Sequence, residues 1–292
     1  MKKSMTLVLL PCLMLLAACS GDSGKPAGDS AKPKDSTDLT TDDMDDDSDD
    51  AVSYTLPSPL QVAALFKKSG LKYLPGVGHD AASSSKYSTR FQRAQNMGVY
   101  SADMAYCVMN KQNNEAVKYM KVVKECATAV DLGKIFENNG LYERFNKNLD
   151  NEDSLRGVIA DIQMETDMLM AQNDQKQLYG IIYSGAWVES MYIGAQVYKK
   201  SPDEKIVPKL LEQMTILSSI IKELKVNESK DAGIPTLLAD FSALQTIYEN
   251  IPAIKTIKES DDVDFNAVKV SKEDLDQLIQ KIEQLRSKIV NG

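Results

Sequence analysis

Two carboxylates stand alone in the most apolar parts of this chain, and they are its best candidates for chemistry. Asp103 is the only acid or base of ordinary strength between Arg93 and Lys111, and Glu189 is alone in the same way between Lys176 and Lys199. Each is followed three residues later by a tyrosine, Tyr106 and Tyr192. Two buried carboxylates facing a cavity would serve as metal ligands or as a general acid and base. Di-metal helical bundles add Glu-x-x-His motifs, which are missing here. The structural alternative is that each acid accepts hydrogen bonds from tyrosine hydroxyls or helix ends and fixes the packing register. The structural reading is favoured. The functional one defines a candidate ligand pocket of Tyr100, Asp103, Tyr183, Trp187 and Glu189, with an apolar cavity of ligand size near Trp187.

Other reactive groups are few. The single histidine, His79, falls in a Gly/Ser-rich stretch, which predicts a mobile loop without metal or haem partners. There is no Gly-x-Ser-x-Gly and no Cys–His pair, so no catalytic set, metal site or cofactor is expected. Cys107 and Cys126 flank a helical hairpin with its turn near residues 111–114. Helical rise of 1.5 Å per residue offsets them by about 12 Å. A disulfide needs Cα atoms within roughly 7 Å, so two buried free thiols are expected. Met97, Met104, Met109, Met164, Met168, Met170 and Met191 read as adaptable core filling.

The carrier of these residues is helical. Low aromatic content, many Met and few Gly favour helix, and the periodicity predicts an all-α protein of about seven to nine helices, as a multi-helix bundle or stacked helical hairpins. Ser58-Pro59 opens a first helix that Gly70 stops. Later helices are expected over about 88–110, from Asn113 or Asn114 to about 130, in short pieces over 131–149, and from Asp150–Asp153 to about Gln172. Residues 176–199 form the most apolar stretch and are predicted to be the central helix, buried nearly all round. Gly180, Gly185 and Gly194 would let neighbouring helices approach it closely. Ser201-Pro202-Asp203-Glu204 and Gly233-Ile234-Pro235 read as helix starts, and Pro252 as a kink or a stop. Ser271 with Asp274 resembles a capping box for a last helix carrying Leu275, Leu278, Ile279, Ile282, Leu285 and Ile289 on one stripe.

The N-terminus carries an address. Lys2 and Lys3 precede an apolar run, Met5 to Leu16, that is short of the roughly 20 residues of a membrane span. Leu16-Ala17-Ala18-Cys19 closes it and resembles the lipobox of bacterial lipoprotein signals. The resemblance implies removal of residues 1–18, acylation of Cys19, and, with Ser20 following, sorting to the outer membrane. Residues 19–54 are almost free of apolar side chains and include an Asp run over 42–50, which predicts a disordered, extended tether. Residues 55–292 form the globular part. It holds 31 acids against 29 bases. So near-neutral a surface argues against nucleic acid and against a polybasic lipid-binding face.

The passages Asn96–Tyr106 and Gly185–Glu189 together resemble uncharacterised all-helical lipoproteins of Gram-negative gut-type bacteria, a resemblance that implies no activity. The sequence therefore predicts a non-enzymatic, lipid-anchored envelope protein. Its partners are a membrane, through the N-terminal lipid, and a protein or small molecule bound by the helical domain. A structural or scaffolding role without a small-molecule ligand is the alternative, and a carboxylate-based enzyme ranks below both.

Overall fold

The computed structural model describes residues 56–137, 140–255 and 263–292; the expected signal over 1–18, Cys19 and the expected tether lie outside the described residues. Among those described, the chain forms α1 Pro59–Lys68, α2 Arg90–Met109, α3 Asn113–Ala129, α4 Lys134–Glu137, α5 Leu141–Lys147, α6 Glu152–Gln172, α7 Gln177–Lys200, α8 Ile206–Val226, α9 Ile234–Asn250, α10 Pro252–Lys255 and α11 Lys272–Asn291, and no strand. Nine of these helices are seven residues or longer, which gives the all-α bundle its size.

Local chemistry sets most of the boundaries. Ser58 and Gln61 form a reciprocal capping box at α1, and Thr89 and Gln92 form another at α2, so the first free N–H groups of both helices are satisfied. Gly70 ends α1 with a φ of 92°. Asn151 and Ser271 cap α6 and α11. Two expected starts differ. At α3 Asn113 is already helical, and the preceding Gln112 makes no side-chain cap. At α8 the helix begins at Ile206 rather than at Ser201-Pro202, because the Asp203 carboxylate accepts the Lys205 N–H at 3.0 Å and holds a local turn. Pro208 then falls at the third helical position, where no intrahelical N–H bond is lost.

The centre of the bundle is α7, which buries 17 of its 24 residues. Its closest neighbour is α2, and glycine decides how close. A Cβ on Gly98 would lie 1.9 Å from the Ile182 carbonyl oxygen, and one on Gly185 would lie 1.9 Å from that of Gln95. The two backbones therefore touch, with no side chain between them. The other face of α2 takes α3, and α8 runs along α7 and packs in turn on α9. The last helix, α11, lies against α7 and α9 and brings its C-terminal end to α2. No helix among the described residues is long and apolar enough to cross a membrane. Cys107 and Cys126 are buried, unbonded thiols. Five of the seven methionines are buried as expected, but Met164 and Met168 on α6 are 60% and 45% exposed.

Candidate functional site: a buried carboxyl pair clamped by an arginine

The α2–α7 contact that the two glycines permit places Asp103 and Glu189 in one place. Asp103 lies five residues beyond Gly98, Glu189 one turn beyond Gly185, and neither has exposed surface. Their carboxyl groups are within hydrogen-bond reach of each other. From α11, the Arg286 guanidinium donates twice to Glu189, Nε to Oε2 at 2.9 Å and Nη2 to Oε1 at 3.1 Å. Its carbon sits 4.4 Å from the centre of the Tyr192 ring, a cation–π contact.

One cation serves two acids, so the acids divide their roles. Burial, then the adjacent Glu189 charge, raise the Asp103 pKa well above the usual carboxylate range. Burial raises Glu189 too, while the Arg286 hydrogen bonds and charge pull it back. Asp103 therefore carries the proton and Glu189 the charge that Arg286 neutralises. The proton also accounts for the Asp103 oxygens. Oδ2 accepts the His79 backbone N–H at 3.0 Å, whereas Oδ1 has no conventional donor beside it. A carboxylic O–H shared with Glu189 satisfies it.

The segment between α1 and α2 is a strap packed over this pair, not the mobile loop that its composition suggests. His79 is 7% exposed. Its Nε2 lies 2.7 Å from the Tyr87 hydroxyl, which donates to the Val290 carbonyl at 3.1 Å and so ties the strap to the end of α11. The imidazole stacks on Tyr100 at 5.3 Å, and Tyr100 donates to the Asp80 carbonyl at 3.1 Å. Burial, followed by the Arg286 and Lys86 charges, lowers the His79 pKa to about 4, so the ring is neutral. Gly78 is required here, since a Cβ would lie 2.7 Å from Asp103 Oδ1 and 2.5 Å from the Tyr119 hydroxyl.

The two tyrosines that follow the acids make their contacts elsewhere. Each instead holds the element that covers its acid. Tyr106 accepts the Leu74 N–H at 2.7 Å and donates to the Lys72 carbonyl at 3.0 Å, pinning the strap. Tyr192 supports Arg286.

The five residues of the candidate pocket do not share one cavity. Tyr100, Asp103 and Glu189 belong to the sealed cluster. Trp187 is about 200° around α7 from Glu189 at 100° per residue. It lies 5.9 Å from Phe241, and with Tyr183, Pro57, Val62, Ile216 and Ile220 it lines a void of about 10 Å³. Such a space is at the lower limit for a single water molecule, well short of the ligand-sized cavity expected near Trp187, as far as the described residues line it. Pro59 and Val62 of α1, with Pro57 just ahead of it, line that seam. Tyr183 accepts a hydrogen bond from Gln163 Nε2 at 2.6 Å. Beside the seam, the Trp187 indole N–H and both amide atoms of fully buried Gln213 have no protein partner. No group of three or more potential ligand side chains among the described residues could hold a metal ion.

Sequence reasoning missed Arg286 and the strap. Arg286 had a signal: it sits at helical spacing within the apolar stripe of α11, four residues after Ile282 and three before Ile289. The role of His79 had none, since a backbone N–H does the bonding to Asp103. A larger opening, about 810 Å³, lies between the end of α7 and the start of α11, but it is an open surface cleft in which four of the five charged side chains are already paired, Lys199 with Glu283 at 2.7 Å and Lys272 with Asp276. No family model, curated protein or solved structure matches the chain.

Proposed function

We propose that this chain is a lipid-anchored protein of the bacterial envelope, held through Cys19 at the outer membrane, whose helical domain is an interaction module that works through its surface rather than an enzyme. The observation that carries the second half is the filled interior. The carboxyl pair has no exposed surface and is neutralised by Arg286, and the void beside Trp187 holds about 10 Å³. General acid–base chemistry needs a substrate within about 3 Å of the acid, and a small-molecule site needs some 300 Å³ or more. Among the described residues, neither requirement is met at the carboxyl pair or beside Trp187. The anchor rests on the N-terminal pattern.

Two measurements test the proposal. Detergent phase partitioning of the full chain expressed in a Gram-negative host should place it in the detergent phase and Cys19→Ser in the aqueous phase; partitioning of both into water overturns the anchor. In-cell cross-linking of the anchored chain should trap a discrete envelope protein. A thermal shift with a small molecule and no cross-linked species would overturn the interaction reading.

A further inference from the structure

The strap over the carboxyl pair is held to α2 by a ladder of side chains. Tyr100, Asp103 and Tyr106 recur every three residues along that helix. Tyr100 donates to the Asp80 carbonyl at 3.1 Å, and Asp103 accepts the His79 N–H at 3.0 Å. Tyr106 holds the Leu74 N–H at 2.7 Å and the Lys72 carbonyl at 3.0 Å. Burial adds little to these bonds, since over residues 71–88 only Leu71, Val77, His79 and Tyr87 are buried. A segment with so few buried apolar contacts belongs to the low-stability end of a fold. The last turns of α11, residues 285–291, also lean on bonds from outside their helix. Asn96 Nδ2 donates to the Ile289 carbonyl at 3.2 Å and Tyr87 to that of Val290 at 3.1 Å. Two carbonyls that a helix end leaves free are thus capped, one from α2 and one from the strap.

The strap and the end of α11 are joined twice, and the two links close a ring. One is direct: His79 Nε2 lies 2.7 Å from the Tyr87 hydroxyl, which bonds Val290. The other runs through the cluster. The His79 N–H bonds Asp103, Asp103 pairs with Glu189, and Arg286, one turn before Val290, donates twice to Glu189. The cluster makes half-open states costly. If the end of α11 lifts alone, Arg286 leaves and the Glu189 charge stays under a strap that admits no water: a Cβ on Gly78 would already lie 2.7 Å from Asp103 Oδ1. If the strap lifts alone, Asp103 loses its donor and Val290 its cap. A buried charge that keeps its cover but loses its partner is strongly destabilising, whereas water reaching all three groups at once relieves it. We propose that the strap, residues 71–88, and the last turns of α11, residues 285–291, are one conformational device that opens and closes as a unit, latched by the Asp103–Glu189–Arg286 cluster. Opening uncovers Leu71, Val77 and Tyr87 together with the carboxyl pair, a second surface that the closed fold conceals.

Hydrogen exchange of the full chain tests this, read by mass spectrometry on fragments covering the strap, the end of α11 and the middle of α7. In the wild type the strap and α11 fragments should exchange faster than α7 and share one dependence on urea. Tyr106→Phe removes a hydroxyl that bonds the strap alone. It should speed exchange of the strap by roughly three- to tenfold, the scale of one or two lost hydrogen bonds, and that of the α11 end by the same factor, with α7 unchanged. Lys288→Ala breaks the ion pair with Asp240 of α9, at a side chain 61% exposed, so the fold is kept even if Tyr106→Phe unfolds. It should speed both fragments by about two- to fivefold. An α11 end unmoved by Tyr106→Phe, or a strap unmoved by Lys288→Ala, makes the two elements independent and overturns the proposal. So does an equal rise in all three fragments, which would leave global unfolding as the only opening.

Discussion

Arg286 grips Glu189 through two hydrogen bonds of 2.9 and 3.1 Å where the glutamate has no exposed surface and the arginine side chain only 15%. An ion pair of this kind is sensitive to the loss of one partner. Arg286→Met leaves a buried carboxylate uncompensated beside a second acid, and should lower the unfolding free energy by about 3–5 kcal/mol. The paired change E189M/R286M removes both charges and should restore most of that loss. Urea unfolding of the two variants measures the difference; equal destabilisation would show that the charges are not coupled.

The shared proton makes a prediction about pH. His79 is neutral in the fold, with its pKa lowered to about 4 from an ordinary 6.5. It therefore contributes stability that is fully present above about 6.5 and is lost as pH falls toward 4. Asp103 has the opposite sign. Its raised folded pKa contributes stability that is fully present below the ordinary carboxylate value and is lost as pH climbs through the raised one. In the part of the range between about pH 4 and 6.5 that lies below the raised Asp103 value, the unfolded chain binds a proton at His79 and the folded chain holds one at Asp103, so the two slopes oppose each other. Each alone is limited to about 1.4 kcal/mol per pH unit. Asp103→Asn should then lose stability on acidification through this window relative to wild type, and His79→Gln should gain it. Urea midpoints at several pH values decide the signs.

Glycine substitutions should split by location. Gly98→Ala and Gly185→Ala each put a methyl 1.9 Å from a backbone oxygen of the facing helix and should destabilise by about 1–3 kcal/mol or prevent folding. Gly157→Ala, in open space on α6, should stabilise by about 1 kcal/mol through helix propensity. Thermal unfolding of the three gives the comparison.

Gln213 presents a separate test of the closed interior. Its amide is fully buried without a protein partner on either atom. Gln213→Met keeps the volume and removes both polar atoms, and should raise stability by about 1–3 kcal/mol. A loss of stability instead would show that a bound molecule holds the amide.

Much of this architecture was readable from the chain because it rests on local chemistry. Ser58-Pro59 and Gly70 bound α1, and the Leu275–Ile289 spacing set the buried face of α11. The isolation of Asp103 and Glu189 in apolar helices marked them as buried. What the sequence could not supply was partnership at a distance. Nothing in α7 says that its glutamate meets an arginine 97 residues later, and nothing in the strap's composition says that Gly78 and His79 press on Asp103. The start of α8 departs from its capping pattern because an Asp203 turn competes for the same residues. Met164 and Met168 fit a core pattern, but that pattern does not reveal which apolar side chains the rest of the chain leaves uncovered.

The central claim is that the buried carboxyl cluster holds the fold together and the surface does the work. In-cell cross-linking of the full anchored chain, wild type against E189M/R286M, tests it most directly. With both proteins folded by circular dichroism, the account predicts the same cross-linked envelope species in each. Loss of that species from the folded E189M/R286M variant would contradict it and return the function to the buried pair.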